Sequence, residues 1–286
     1  MAEPFPICYL NGKRLPLEEA RISPLDRGFL YSDGVYELMA VYGGRPFRFD
    51  AHRERLTRSL NEIRMEDPHT PREWREVLGG LIEANGGGDQ YVYLQVTRGA
   101  EKGRNHATLP NIPRTVFAFC APLPAISQAG AACITAQDTR WARCDIKSVS
   151  LLANILLRQL SVEAGAVETI LLREGNLMEA SSSAVHVVIG GEIRTPPRSH
   201  QILPGTTRGV MEEMAVRAGV PYRSTPVSEA QLRSASEVWI SSTTREVMAV
   251  TTLDGRPVGK GEPGPLWRRV HQEFQDYKHE LAGTPW

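Results

Sequence analysis

Residues 144–152 read CDIKSVSLL, a single lysine set between short polar residues and directly ahead of an apolar run that continues to Leu157. How Lys147 is read decides the rest. A helix that is apolar nearly all round is expected to be buried, so the lysine is either a charge flanking that helix or an amine held beside a core. An amine against a core loses solvation, favours its neutral form and can attack a carbonyl. A lysine snorkelling from a helix edge is the commoner arrangement. The chain has only five lysines, at 13, 102, 147, 260 and 278. The other four fall in an Asn-Gly turn, a polar loop, a Gly-Lys-Gly-Glu-Pro segment and the last helix, where a lysine is simply solvated. Lys147 is the exception, and the residues alone leave both roles open.

The 286 residues, 41% of them apolar, suit one large or two medium domains with a real core. Lys plus Arg and Asp plus Glu both number 33, so no basic excess points to nucleic acid and no acidic excess to a solvating tail. The opening MAEPFPICYLNGK lacks a basic segment followed by an apolar one, and runs such as VHVVIG are far too short to span a bilayer. A cytoplasmic protein with neither a nucleic-acid nor a membrane partner is expected. Cys8, Cys120, Cys133 and Cys144 are widely spaced without a C-x-x-C pair, so no metal site and no disulfide framework is expected, only buried thiols.

Outward from the lysine, strands and helices alternate irregularly. ICYLNGKRLPL reads as a hairpin on its Asn-Gly turn, and YELMAVYGGRPFRF as a second hairpin through Gly43-Gly44. Asp50 is a plausible N-cap for a helix with Leu56, Leu60 and Ile63 on one face. Thr70-Pro71-Arg72-Glu73 has capping-box spacing with proline at the first helical position. The strands DQYVYLQVTRG and TVFAFC follow on either side of the polar loop AEKGRNHATLP. APLPAISQAG, 121–130, has no periodicity and marks a boundary, giving a small N-terminal domain over 1–122, a linker over 123–130 and a larger domain over 131–286. Strands dominate the second part, with helices over about 151–165, 206–219 and 265–281. The pattern predicts an α+β fold.

Three hydroxyl clusters follow strands or turns in the second part: EASSSA (179–184), ILPGTTRG (202–209) and ISSTTRE (240–246). In the second, a Pro-Gly turn delivers Thr206 and Thr207 to a helix start, where free N–H groups and the dipole favour an anion. Each cluster alone is most often a loop cap. With one unusual lysine, they suggest a cradle for a phosphorylated carbonyl compound.

DRGFLYSDGVYE (26–37), RFDAHRERL (48–56), RWARCDIKSVSLLANILLRQ (140–159), EASSSAV (179–185), ILPGTTR (202–208) and ISSTTRE (240–246) together resemble the class IV aminotransferases, most of all their D-amino acid branch. The likeness runs the whole chain in order and spacing. It implies a two-domain, fold type IV pyridoxal 5′-phosphate enzyme, with a small N-terminal α/β domain, a larger mainly-β domain and the cofactor at the domain interface. Lys147 would be the Schiff-base lysine and the catalytic residue. Glu179 would face the ring nitrogen. Arg55, Thr206, Thr207 and Thr243 would bind the phosphate, with Ser183, Leu203 and Ser242 completing the cofactor contacts. Tyr36, Arg104 and His106 would take the α-carboxylate of the amino acid or 2-oxo acid substrate. Because Arg-x-His pairs of this branch serve the neighbouring subunit, a homodimer with shared active sites is implied.

The loop carrying Arg104-Asn105-His106 is a residue longer than the branch's pattern, Ala180 replaces a frequent Gly and Ala184 a usual Asn. Alternatives within the family are a branched-chain L-amino acid aminotransferase, an (R)-amine transaminase and an aminodeoxychorismate lyase. Arg104-x-His106 argues against the first two. A silent cofactor-binding protein is the alternative outside catalysis.

Overall fold

Asn11 and Gly12 both take positive φ, 48° and 90°, closing the turn between strands β1 (Ile7–Leu10) and β2 (Lys13–Pro16) in the computed structural model, which describes residues 3–282 and 286. The chain continues through α1 (Arg27–Tyr31), β3 (Gly34–Tyr42), β4 (Arg45–Pro46), α2 (Phe49–Glu62), α3 (Pro71–Ala84), β5 (Gln90–Thr97) and β6 (Thr115–Pro122). These six strands form one antiparallel sheet in the order β2-β1-β6-β5-β3-β4. Leu56 and Leu60 of α2 and Trp74, Leu78 and Leu81 of α3 share one buried cluster with Val35, Met39, Val92 and Leu94 of the sheet. Thr70 and Glu73 form the expected capping box ahead of Pro71. Asp50 is not the cap of α2. Arg48 holds that position in the left-handed region, and Asp50 lies inside the first turn, where its charge favours the helix dipole.

A second set of elements comprises β7 (Ala131–Gln137), α4 (Leu152–Glu163), β8 (Glu168–Arg173), β9 (Asn176–Ala180), β10 (Ala184–Ile189), β11 (Glu192–Thr195), α5 (Thr206–Arg217), β12 (Tyr222–Ser224), α6 (Glu229–Ser234), β13 (Glu237–Ser242), β14 (Glu246–Leu253), β15 (Arg256–Pro257) and α7 (Pro265–Ala282). Its nine strands make a mixed sheet, β12-β11-β10-β13-β14-β7-β8-β9, with β15 paired to β14. β7 runs parallel to both neighbours, β14 and β8. Ile170, Leu177, Val185, Val187, Val238, Ile240 and Val250 fill the buried cluster on this sheet. Gly219, φ 61°, stands one residue past the α5 cap, at the end of the range that the sequence gives this helix.

The backbone divides into two units, one of Met1–Pro124, Ile146–Ser150 and Ala282–Trp286, the other of Ala125–Asp145 and Leu151–Leu281. The five residues around Lys147 belong with the first unit although they follow the boundary in sequence. Backbone pairing is the reason: Tyr36 N–H donates to the Lys147 carbonyl and Val149 N–H to the Gly34 carbonyl, both at 3.0 Å. A Cβ on Gly34 would sit 2.7 Å from the Val96 carbonyl oxygen, so β3 must begin on glycine here.

The helix that the apolar run after Lys147 predicts does form, but it is not buried all round. Leu157 and Ser161 of α4 face inward, while Leu152 is 70% and Ile155 and Leu156 are each 61% exposed. All four cysteines are buried and free. Among the described residues no helix is long and apolar enough to cross a membrane, and no cluster of residues could hold a metal ion.

Candidate active site

In the first unit, Lys147 leaves the helix edge and joins β3. Its carbonyl is taken by Tyr36, and its own N–H donates to Ser59 Oγ at 3.2 Å. These two backbone bonds fix the side chain's origin. Nζ lies 4.1 Å from the centroid of the Tyr36 ring, and no carboxylate pairs with it among the described residues. Tyr36 is itself stacked on Tyr93, with ring centroids 5.7 Å apart.

One residue further along β3 the side chain points into the core. Glu37 accepts from Arg55 Nε at 2.8 Å and Arg55 Nη2 at 2.7 Å, and bonds His52 Nδ1 at 2.7 Å. Burial alone would raise the Glu37 carboxyl; the Arg55 guanidinium and His52 overturn this and hold it at about 2. Burial lowers the pKa of His52. One edge of the Arg55 fork is thereby fixed on Glu37.

Arg104 and His106 are exposed and meet on Tyr31 of α1: the Arg104 Cζ is 5.1 Å and the His106 ring 5.4 Å from its centroid. Among the described residues no hydrogen bond, ion pair or ring contact joins either to Tyr36. Tyr36 therefore makes no direct contact with the other two expected carboxylate ligands, which share the Tyr31 ring.

In the second unit, Glu179 at the end of β9 is buried, receives Arg140 Nη1, and accepts the Leu203 N–H at 3.2 Å. Burial pushes its carboxyl up, Arg140 opposes the rise, and nearby Asp138 adds to it. Arg140 cannot serve Glu179 alone, because its Nε and Nη2 both bond Asp138 at 2.9 Å.

Ser183 donates to Glu168 Oε2 at 3.1 Å, as does Ser182 at 2.6 Å, and Ser181 reaches the other oxygen. Arg245 completes this cluster, bonding Glu168, Ser182 and Ser183 at 3.0–3.1 Å. Thr206 and Thr207 open α5 behind Gly205, which caps the helix without any side-chain bond. Ser242, at the end of β13, has a buried Oγ with no hydrogen-bond partner among the described residues, and Thr243 follows it.

Sequence reasoning missed Glu37, His52, Arg140 and Glu168. A signal existed for two of them: Glu37 and Glu168 are acids inside or heading otherwise apolar strands, YELMAV and VETILL, where a charge must find a partner.

Residues 34–253 match the amino-transferase class IV family. A D-alanine aminotransferase of Bacillus licheniformis is 38% identical over 269 residues, 93% of this chain and 95% of that protein. A D-alanine aminotransferase of Listeria monocytogenes serotype 1/2a (strain 10403S) is 36% identical over 270 residues, 93% of each chain. Among solved structures, a T.th. branched-chain amino acid aminotransferase with pyridoxamine 5′-phosphate has a TM-score of 0.89 at 29% identity, covering 97% of this chain and 95% of that one. The Escherichia coli branched-chain amino acid aminotransferase shares the fold at a TM-score of 0.90, 24% identity and 95% and 94% coverage. The chain belongs to the class IV aminotransferases, which are pyridoxal 5′-phosphate enzymes.

The residues present fit that cofactor. It requires an amine for its aldehyde, an acid for its ring nitrogen and uncommitted donors for its phosphate. Among the described residues, Lys147 Nζ without a carboxylate, buried Glu179, the α5 N-terminus without a side-chain cap and the unpartnered Ser242 Oγ are groups of those kinds.

Proposed function

We propose that the chain is a transaminase that exchanges the amino group between D-amino acids of the D-alanine and D-glutamate type and 2-oxo acids such as 2-oxoglutarate or pyruvate, with ping-pong kinetics. The observation that carries the chemistry is Lys147 Nζ on the face of Tyr36, an amine that no carboxylate pairs with among the described residues. Bound pyridoxal 5′-phosphate supplies the electron sink that makes an amino acid's α-proton removable. Lys147 and Arg55 of the first unit would hold it, as would Glu179, Ser183, Leu203, Thr206, Thr207, Ser242 and Thr243 of the second.

The chain's own work is then positioning and proton movement. Lys147 is the general base that takes the proton from the substrate α-carbon. Glu37 keeps the Arg55 guanidinium turned with one edge inward, which leaves its charge in a fixed place for the phosphate. Glu179, held by Arg140 and the Leu203 N–H, presents a carboxylate that would favour a protonated ring nitrogen. Tyr36, Arg104 and His106 would bind the α-carboxylate, and the side from which they hold it decides which enantiomer offers its proton to Lys147.

Arg104 and His106 pack on Tyr31 and Tyr36 packs on Tyr93, and in the homodimer that the resemblance implies the first pair would serve the neighbouring site. The uncharged stripe of Leu152, Ile155 and Leu156 on α4 supports coverage by a second copy. Four free cysteines fit a reducing, cytoplasmic setting.

Lys147→Ala is expected to lower D-alanine turnover with 2-oxoglutarate by about a thousandfold or more; retained turnover would remove Lys147 from the chemistry. A panel of D- and L-amino acids tests the substrate class. L-leucine outrunning D-alanine would reassign the chain to the branched-chain reaction of its structural relatives.

A further inference from the structure

Tyr31 ends α1 with its hydroxyl buried and bonded to no protein group among the described residues. Its ring, by contrast, is crowded. Arg27 Cζ lies 4.7 Å from the centroid, Arg104 Cζ 5.1 Å, and the His106 ring 5.4 Å at an interplanar angle of 50°. The guanidinium groups of both arginines engage the ring, which leaves the hydroxyl itself as a donor without an acceptor.

This arrangement is held from below. Arg27, 4% exposed, bonds Asp33 at 2.8 Å and Glu101 at 3.2 Å, and donates to the backbone carbonyls of Asn105 at 2.7 Å and His106 at 3.3 Å. The other oxygen of Glu101 accepts the Leu109 N–H at 3.1 Å. The backbone of the Arg104-x-His106 segment is thus tied to α1, and Tyr31 and the two side chains stay together whatever site they serve.

A phenol, a guanidinium and an imidazole gathered at one place offer donors, and the ligand that satisfies such a set is an anion with several acceptor oxygens. We propose that Tyr31 is a further substrate-binding residue: its hydroxyl donates to the carboxylate, of the amino acid or the 2-oxo acid, that Arg104 and His106 hold. This rests on the assignment of Arg104 and His106 to the substrate carboxylate. It adds a residue to Tyr36, Arg104 and His106, one that by itself, as a Tyr at the end of a five-residue helix, reads as packing.

The test is Tyr31→Phe in the holoenzyme, which keeps the ring and deletes only the hydroxyl. A hydrogen bond to a charged group is worth a factor of about ten or more, so KM for D-alanine and for 2-oxoglutarate should each rise about tenfold with kcat within about twofold. Tm should stay the same or rise, because a buried polar atom without a protein partner is removed. A merely structural hydroxyl gives the reverse, a lower Tm and an unmoved KM, and either result overturns the proposal. Arg104→Ala, measured alongside, separates the two levels. If it raises KM and Tyr31→Phe does not, the Tyr31 assignment alone is lost; if neither variant moves KM, the assignment of Arg104 to the carboxylate falls as well.

Discussion

Glu37 and Glu179 are both glutamates on strands, both all but buried, each paired with an arginine, yet their carboxyls shift in opposite directions. Glu37 is held at about 2, whereas Glu179 is raised. Burial acts on both the same way, upward. What differs is how the positive charge is shared. Glu37 takes both Nε and Nη2 of Arg55 and also His52. Glu179 takes one nitrogen of Arg140, whose other two go to Asp138, an anion that further disfavours a second negative charge. The first unit thus neutralises its glutamate from within. The second leaves Glu179 able to gain from another cation, which is the property required opposite a protonated ring nitrogen.

The largest expected effect comes from breaking the self-contained pair. Glu37→Gln strips the carboxylate from a buried guanidinium and should lower stability by about 3–5 kcal/mol, read as a shift in urea midpoint. Loss of less than about 1 kcal/mol would mean that Arg55 does not depend on Glu37. The same carboxyl predicts an acid response. Its folded pKa is depressed from 4.5 to about 2, so its contribution is fully present above pH 4.5 and is lost as pH falls through 2. At about 1.4 kcal/mol per pH unit, this amounts to about 3 kcal/mol between those limits. Stability measured from pH 5 to 2 should therefore fall more steeply in the wild type than in Glu37→Gln.

Glu179→Gln should behave differently. Arg140 keeps Asp138, so stability should change by about 1 kcal/mol or less. Activity should fall about a hundredfold, because the charge that favours a protonated ring nitrogen is gone. If Glu179→Gln instead destabilises the fold as much as Glu37→Gln, the contrast between the two glutamates fails, and Glu179 becomes a structural partner of Arg140.

The contrast also separates what the sequence makes legible from what it hides. The Asn11-Gly12 turn, the Thr70–Glu73 capping box and the hydroxyls at the head of α5 are local chemistry, fixed within a few residues, and could be read directly. So could Lys147 as the lysine out of place. Which unit holds it could not, because that depends on strand pairing with Gly34 and Tyr36, more than a hundred residues away. Glu37 with Arg55 and Arg27 with Asn105 are likewise pairings across elements, 18 and 78 residues apart. The α4 helix misled for another reason. Apolar composition says that a face avoids water, and says nothing about whether its own chain or another supplies the cover.

The two helix N-termini repeat the comparison on a smaller scale. α3 satisfies its first N–H groups internally: Thr70 Oγ1 accepts from Glu73 N–H at 3.3 Å, and Glu73 accepts from Thr70 N–H at 2.7 Å. α5 starts behind Gly205 with no side-chain cap. Orphan N–H groups at a helix start need a partner, so a helix that lacks one in its own sequence is disposed toward an anion. Thr70→Ala should therefore lower stability by about 1 kcal/mol and leave retention of pyridoxal 5′-phosphate on dialysis unchanged. Thr206→Ala should do the opposite, with a urea midpoint close to wild type and cofactor affinity weaker by roughly three- to tenfold, the scale of one hydrogen bond. If the two substitutions produced the same stability loss and neither altered cofactor retention, the two N-termini would be equivalent and α5 would lose its claim to the phosphate.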